Sequence, residues 1–163
     1  MKRSKPISTR SAPNNQRPKR RRSTITVQTY KNHAFYPRVV RAVTAILADG
    51  KVVAPVDVIV RMGLLDLKRV EDWWRGRVPY LERMINCGLG RLSKLLRILR
   101  FHAHDLKLQP SWTAYMRWGK GPKLRLRFTK SGDQNLEEAY ATHFVPAGQG
   151  AVPPAESEAR KTS

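Results

Sequence analysis

A single cysteine, Cys87, stands in the whole chain, so no intramolecular disulfide can form and no cysteine-based zinc site can be assembled. That fits a reducing location inside the cell. Acidic residues are also scarce: 12 face 32 lysines and arginines, for a formal net charge of +20. No apolar run approaches the ~20 residues of a membrane-spanning helix. Asp49, Lys51, Asp57 and Arg61 interrupt the most hydrophobic region. The basic N-terminus has no apolar stretch after it, which excludes reading it as a secretory signal. Neither a His-Glu-x-x-His pattern nor a phosphate-binding Gly-x-x-x-x-Gly-Lys-Ser/Thr loop is present, and Lys120 in Gly119-Lys120-Gly121-Pro122 reads as a turn residue. The expected location is cytoplasmic or nucleoid-associated, or nuclear in a eukaryotic cell or an invaded host.

What the chain does have is positive charge. Nine of the first 22 residues are Lys or Arg and none is acidic. The run ends in Arg17-Pro18-Lys19-Arg20-Arg21-Arg22. Residues 1–24, rich in Ser, Pro and Asn, have too little apolar surface to form a core and are expected to be a disordered cationic arm. Flexible cations release condensed counterions from a phosphate backbone, so a polyanion is the natural partner. The same tract also reads as a nuclear-import signal, and the two roles are compatible. Residues 146–163, with Pro146, Pro153 and Pro154, read as a second disordered tail. The stretch between keeps the bias: residues 25–145 carry 21 basic and 10 acidic side chains. A basic domain is steered to nucleic acid, to anionic lipid or to an acidic protein.

Residues 25–145 are expected to form a single, mainly α domain (α+β) with one basic β-hairpin at about 112–128. Pro37 opens a helix whose Val39, Val40, Val43, Ile46 and Leu47 recur at helical spacing until Asp49-Gly50. Residues 51–53 suit a very short strand. Pro55 opens a second helix that stops at Gly63, and Asp66 caps a third, with Leu67, Val70 and Trp73 or Trp74 inside. Pro79 opens a fourth, carrying Tyr80, Leu81, Met84 and Ile85. The longest helix covers about 89–106, with Leu92, Leu95, Leu96, Leu99, Ala103 and Leu106 as its core stripe. A last helix is expected over about 133–144, with Leu136, Ala139, Tyr140 and Phe144 packed down.

Between the last two helices the period changes to two. Trp112, Ala114, Met116 and Trp118 alternate with Thr113, Tyr115 and Arg117. Leu124, Leu126 and Phe128 then alternate with Lys123, Arg125 and Arg127. A three-residue loop at 119–121 sets Arg117 opposite Lys123 and Trp112 opposite Phe128, leaving one apolar and one basic face. Residues 55–75 have the length of a helix-turn-helix. With a helix before it and a basic hairpin after it, the order loosely resembles winged-helix domains, with the helices at 79–106 inserted before the hairpin. The helix-turn-helix candidate favours DNA, while a hairpin with an aromatic among cations favours RNA or single strands.

These patterns make a non-enzymatic nucleic-acid-binding protein the expected function, with DNA favoured over RNA. The candidate contacts are Arg17, Lys19, Arg20, Arg21 and Arg22 in the arm, and Lys68 and Arg69 on the third helix. Arg91, Lys94, Arg97 and Arg100 follow on the long helix. Arg117, Lys120, Lys123, Arg125 and Arg127 lie on the hairpin, with Tyr115 as a base-stacking ring. Residues 89–130 hold 11 basic side chains and one acid. Two alternatives remain. An adaptor that meets an acidic protein or an anionic membrane surface also needs a basic, amphipathic helix. A metal-dependent nuclease needs carboxylates, for which Asp66, Glu71, Asp72 and Asp105 are the candidates. No catalytic, metal-ligating or cofactor-binding set is expected. His102 and His104, two apart on a helix, point to different faces.

Overall fold

Proline and aspartate set the helix starts. A computed structural model of the protein describes residues 24–148. The expectations for residues 1–23 and 149–163, including Arg17, Lys19, Arg20, Arg21 and Arg22, lie outside the described residues. Helix α1 (Tyr36–Ala48) carries Pro37 in its first turn, and α2 (Pro55–Arg61) opens on Pro55. The Asp66 carboxylate accepts the Lys68 N–H at 2.8 Å and caps α3 (Leu67–Trp74). Gly63, at φ +74°, makes the corner between α2 and α3 that a side chain would strain. Helix α4 (Leu89–Asp105) follows Gly88, and α5 (Gln134–Ala141) is capped by Asp133, which accepts the Leu136 N–H at 3.0 Å. Each aspartate cap is worth about 1 kcal/mol.

Strands β1 (Gln109–Trp112) and β2 (Thr142–Val145) pair antiparallel, with Gln109 opposite Val145 and Trp112 opposite Thr142. Val53 adds a single bridge to Phe144. The architecture is thus α+β: five α-helices, two 3₁₀ turns (Tyr30–Asn32 and Leu81–Met84) and one small sheet among the described residues. No helix among them is long and apolar enough to cross a membrane. One apolar cluster joins all the helices, with Trp73, Leu81, Leu95, Ile98 and Tyr140 fully buried in it.

Several expectations change. The helix read from Pro79 is only the 3₁₀ turn Leu81–Met84, whose backbone is taken up by the chain beside it: Leu81 N–H donates to Arg127 O and Glu82 N–H to Phe128 O. The last helix stops at Ala141. Phe144 lies in β2, because residues 142–145 find strand partners at 109–112. Leu67 and Leu106, expected inside, are exposed. Leu106 falls outside because α4 ends at Asp105, closed by Leu108 N–H to Ala103 O at 3.0 Å and Lys107 N–H to His104 O at 2.9 Å.

Candidate nucleic-acid interface

The hairpin is held in place along its second arm. Phe128 is buried, stacked on Tyr140 with ring centroids 5.3 Å apart and 5.1 Å from Trp73. The Glu137 carboxylate accepts the Phe128 N–H at 3.1 Å and both the Thr129 N–H and hydroxyl at 2.7 Å. Trp73 Nε1–H donates to Arg127 O at 2.8 Å. Anchored so, the arm turns back through Gly119-Lys120-Gly121-Pro122. Gly119 (φ +107°) and Gly121 (φ +113°) adopt backbone that other residues resist.

The register differs from the expected one by a single residue. Met116 bridges Arg125, Arg117 N–H donates to Leu124 O at 2.8 Å, and Leu126 N–H donates to Tyr115 O at 2.7 Å. The loop is therefore even-numbered. Trp112 pairs with Thr142 in the sheet rather than with Phe128. Changing the register by one residue exchanges which side chains on the first arm face inward. Tyr115, expected to stack on a base, is 6% exposed and packs against Trp73, Trp74 and Phe128. Trp112 and Trp118, expected in the core, are 50% and 38% exposed, and Leu124 is exposed as well. Trp118 stacks on Trp74 with centroids 4.8 Å apart and 17° between planes, and the Trp118 backbone N–H donates to Trp74 O at 2.8 Å. The two exposed tryptophans are candidate site residues that sequence reasoning missed; the length of the Gly-Lys-Gly-Pro loop is the signal that would have revealed them.

Cations share the hairpin with these rings. The Arg125 guanidinium lies 5.0 Å from the Trp112 ring centroid. Lys120 and Lys123 are exposed at the tip. Arg117 and Arg127 are tied down: Arg117 donates to Pro122 O at 3.3 Å and runs against Gly76, while Arg127 donates to Lys130 O at 2.7 Å. None of these five forms an ion pair among the described residues. The three ion pairs there are Lys31–Asp105, Arg61–Asp49 and Arg77–Asp72.

The long helix does not extend this patch into one surface. Steps of three residues fall about 60° short of a full turn, so Arg91, Lys94, Arg97 and Arg100 wind round α4 and the first and last point roughly 180° apart. Arg91 lies over the Phe35 ring at 4.9 Å, and Arg97 reaches Ile25 O at 3.5 Å. Arg97 and Arg100 line a groove of about 870 Å³ whose other wall carries Asp133 and Glu138 of α5. Glu138 also borders the groove beside Arg125 and Arg127. Helix α5 and its carboxylates thus stand between the α4 cations and the hairpin. Lys68 and Arg69 are exposed on α3, joined to the hairpin through the Trp74–Trp118 stack.

Behind the hairpin, the Tyr115 hydroxyl lies 2.6 Å from His143 Nε2, and His143 Nδ1 lies 3.4 Å from Thr113 Oγ1. Burial, and then the charge of Asp57, push the Tyr115 hydroxyl above its ordinary range, so it stays protonated. Burial holds His143 below the usual histidine range. It does the same for His102, partly offset by Asp105, and for His33, reinforced by Lys94 and Arg91. Groups with lowered folded-state values stabilise the fold fully above the ordinary histidine range, and that contribution is lost as pH falls through the lowered values. The urea midpoint is expected to drop between about pH 7.5 and pH 5.5. A midpoint that rises on acidification would contradict the placement of these rings.

Of the carboxylates of the nuclease alternative, Asp66 caps α3, Asp72 pairs with Arg77 at 3.0 Å, and Asp105 accepts from the Tyr30 hydroxyl and pairs with Lys31, while Glu71 is exposed on α3. No group of three or more His, Cys, Asp or Glu among the described residues is placed to hold a metal ion. No protein-family model, no curated protein and no solved structure matches this chain.

Proposed function

We propose that the protein binds nucleic acid without catalysing a reaction, and that it engages unpaired bases through its hairpin. The carrying observation is the pair of exposed tryptophans, Trp112 and Trp118, on a hairpin that also carries the exposed cations Lys120, Lys123 and Arg125. Every base has a face that stacks on an aromatic ring, and cations beside the ring take the phosphates. Folding alone gives no reason to leave two indoles partly in water on a hairpin with three cations that form no ion pair among the described residues. The basic tract at residues 17–22 adds attraction that does not depend on sequence.

A second reading is duplex DNA held in a winged-helix manner, with α2 and α3 as the helical pair and the hairpin as the wing. The Trp74–Trp118 stack supports it, because it couples the end of α3 to the hairpin. Against it, α3 presents Glu71 beside Lys68 and Arg69. Fluorescence anisotropy of the full chain on single-stranded DNA, duplex DNA and hairpin RNA, across a salt series, separates the two. Preference for strands or loops with unpaired bases, with steep salt dependence, is the expected result. Preference for duplex DNA favours the winged-helix reading. Absence of binding to all three overturns both and points to an acidic protein or anionic membrane partner.

A further inference from the structure

The groove beside the hairpin has a volume of about 540 Å³, within the ~300–1,000 Å³ range of small-ligand clefts. Trp112, Arg125 and Arg127 form one wall, and Gln134, Glu137 and Glu138 of α5 form the other. A wall with carboxylates is a poor place for a phosphate backbone. It is a good place for the hydrogen-bonding edge of a base. We propose that this groove is a nucleobase pocket that prefers guanine; the inference rests on the reading that the hairpin binds unpaired nucleic acid.

The roles follow from what each side chain has left to offer. Trp112, half exposed, supplies the ring surface that Arg125 does not cover, and Arg125, which lies over that ring, takes the phosphate of the same nucleotide. Glu137 is committed to the Phe128 and Thr129 N–H groups and the Thr129 hydroxyl. Glu138 is exposed, and its carboxylate has no hydrogen bond or ion pair among the described residues. Gln134 and Glu138 are four apart on α5 and share a face.

A carboxylate only accepts hydrogen bonds, and it does so through two oxygens. Guanine presents two adjacent donors on its Watson–Crick edge, N1–H and the N2 amino group, which match that pair. Cytosine and adenine each present a single amino group there. Thymine and uracil present one N–H flanked by carbonyls that repel a carboxylate. The Gln134 amide supplies a donor for guanine O6.

The test uses the full chain and four labelled strands: a short oligothymidine, and versions carrying one central guanine, adenine or cytosine. The guanine strand is expected to bind about tenfold tighter than oligothymidine, the lower end for a two-point contact. Glu138→Gln is expected to reduce that advantage to within about twofold. Affinity for oligothymidine is not expected to fall, since a negative charge is removed. Equal binding of the four strands by the parent protein, or a guanine preference that survives in Glu138→Gln, overturns the pocket while leaving the nucleic-acid reading intact. No binding to any strand overturns that reading, and the pocket with it.

Discussion

Replacing Trp73 by alanine is expected to destabilise the fold by about 3–5 kcal/mol, the range for removing a buried tryptophan. The ring is 0% exposed. Its centroid lies 5.1 Å from Phe128, 5.4 Å from Trp74 and 5.6 Å from Tyr115, so it joins α3 to both arms of the hairpin. Losing Nε1–H also leaves the inward-facing Arg127 carbonyl with one donor, Leu81 N–H, instead of two. A domain is stable by only ~5–15 kcal/mol, so much of that reserve disappears. Urea unfolding followed by far-UV circular dichroism measures the change. A loss below about 1 kcal/mol would mean that Trp73 is not the joint between helix and hairpin.

The second large effect concerns binding. Lys120, Lys123 and Arg125 are exposed and form no ion pair among the described residues, so changing all three to Gln leaves the fold intact. Each phosphate contact to a single strand contributes about 0.7 to the slope of log K against log salt. Removing three should flatten the slope by about 2 and lower affinity roughly 50-fold near physiological salt. The loss should be similar on strands of any sequence, because backbone contacts carry no sequence information. Anisotropy titrations of parent and variant at several salt concentrations measure both quantities. An unchanged slope would remove the hairpin tip from the interface.

Local chemistry made the helices legible. Pro37, Pro55, Asp66 and Asp133 mark starts that the structure keeps, because capping acts over two or three residues. The end of α5 was not legible. Leu136, Ala139, Tyr140 and Phe144 continue a helical period, and only pairing with residues 109–112, thirty positions earlier, converts the last of them to strand. The hairpin was legible as an alternating segment but not in register. Alternation is satisfied equally by either face, and Tyr115 suits both core and surface. Its burial is decided by Trp73, Trp74 and His143, which come from distant parts of the chain. That one-residue difference moved the candidate stacking rings from Tyr115 to Trp112 and Trp118. Lys123, Arg125 and Arg127, read from the alternation, stayed exposed on the second arm, while Arg117 turned to the other face against Gly76 and the α4 row proved to wind around its helix.

The central claim is that the exposed indoles of the hairpin meet the nucleic acid. The four tryptophan side chains each give one indole N–H resonance, assignable by single substitution to phenylalanine. Titrating the full chain with a single-stranded oligonucleotide should shift the Trp112 and Trp118 signals saturably and leave Trp73, buried with its N–H bonded to Arg127 O, in place. If the oligonucleotide binds while the Trp112 and Trp118 signals stay fixed, the hairpin is not the contact surface and the account is wrong.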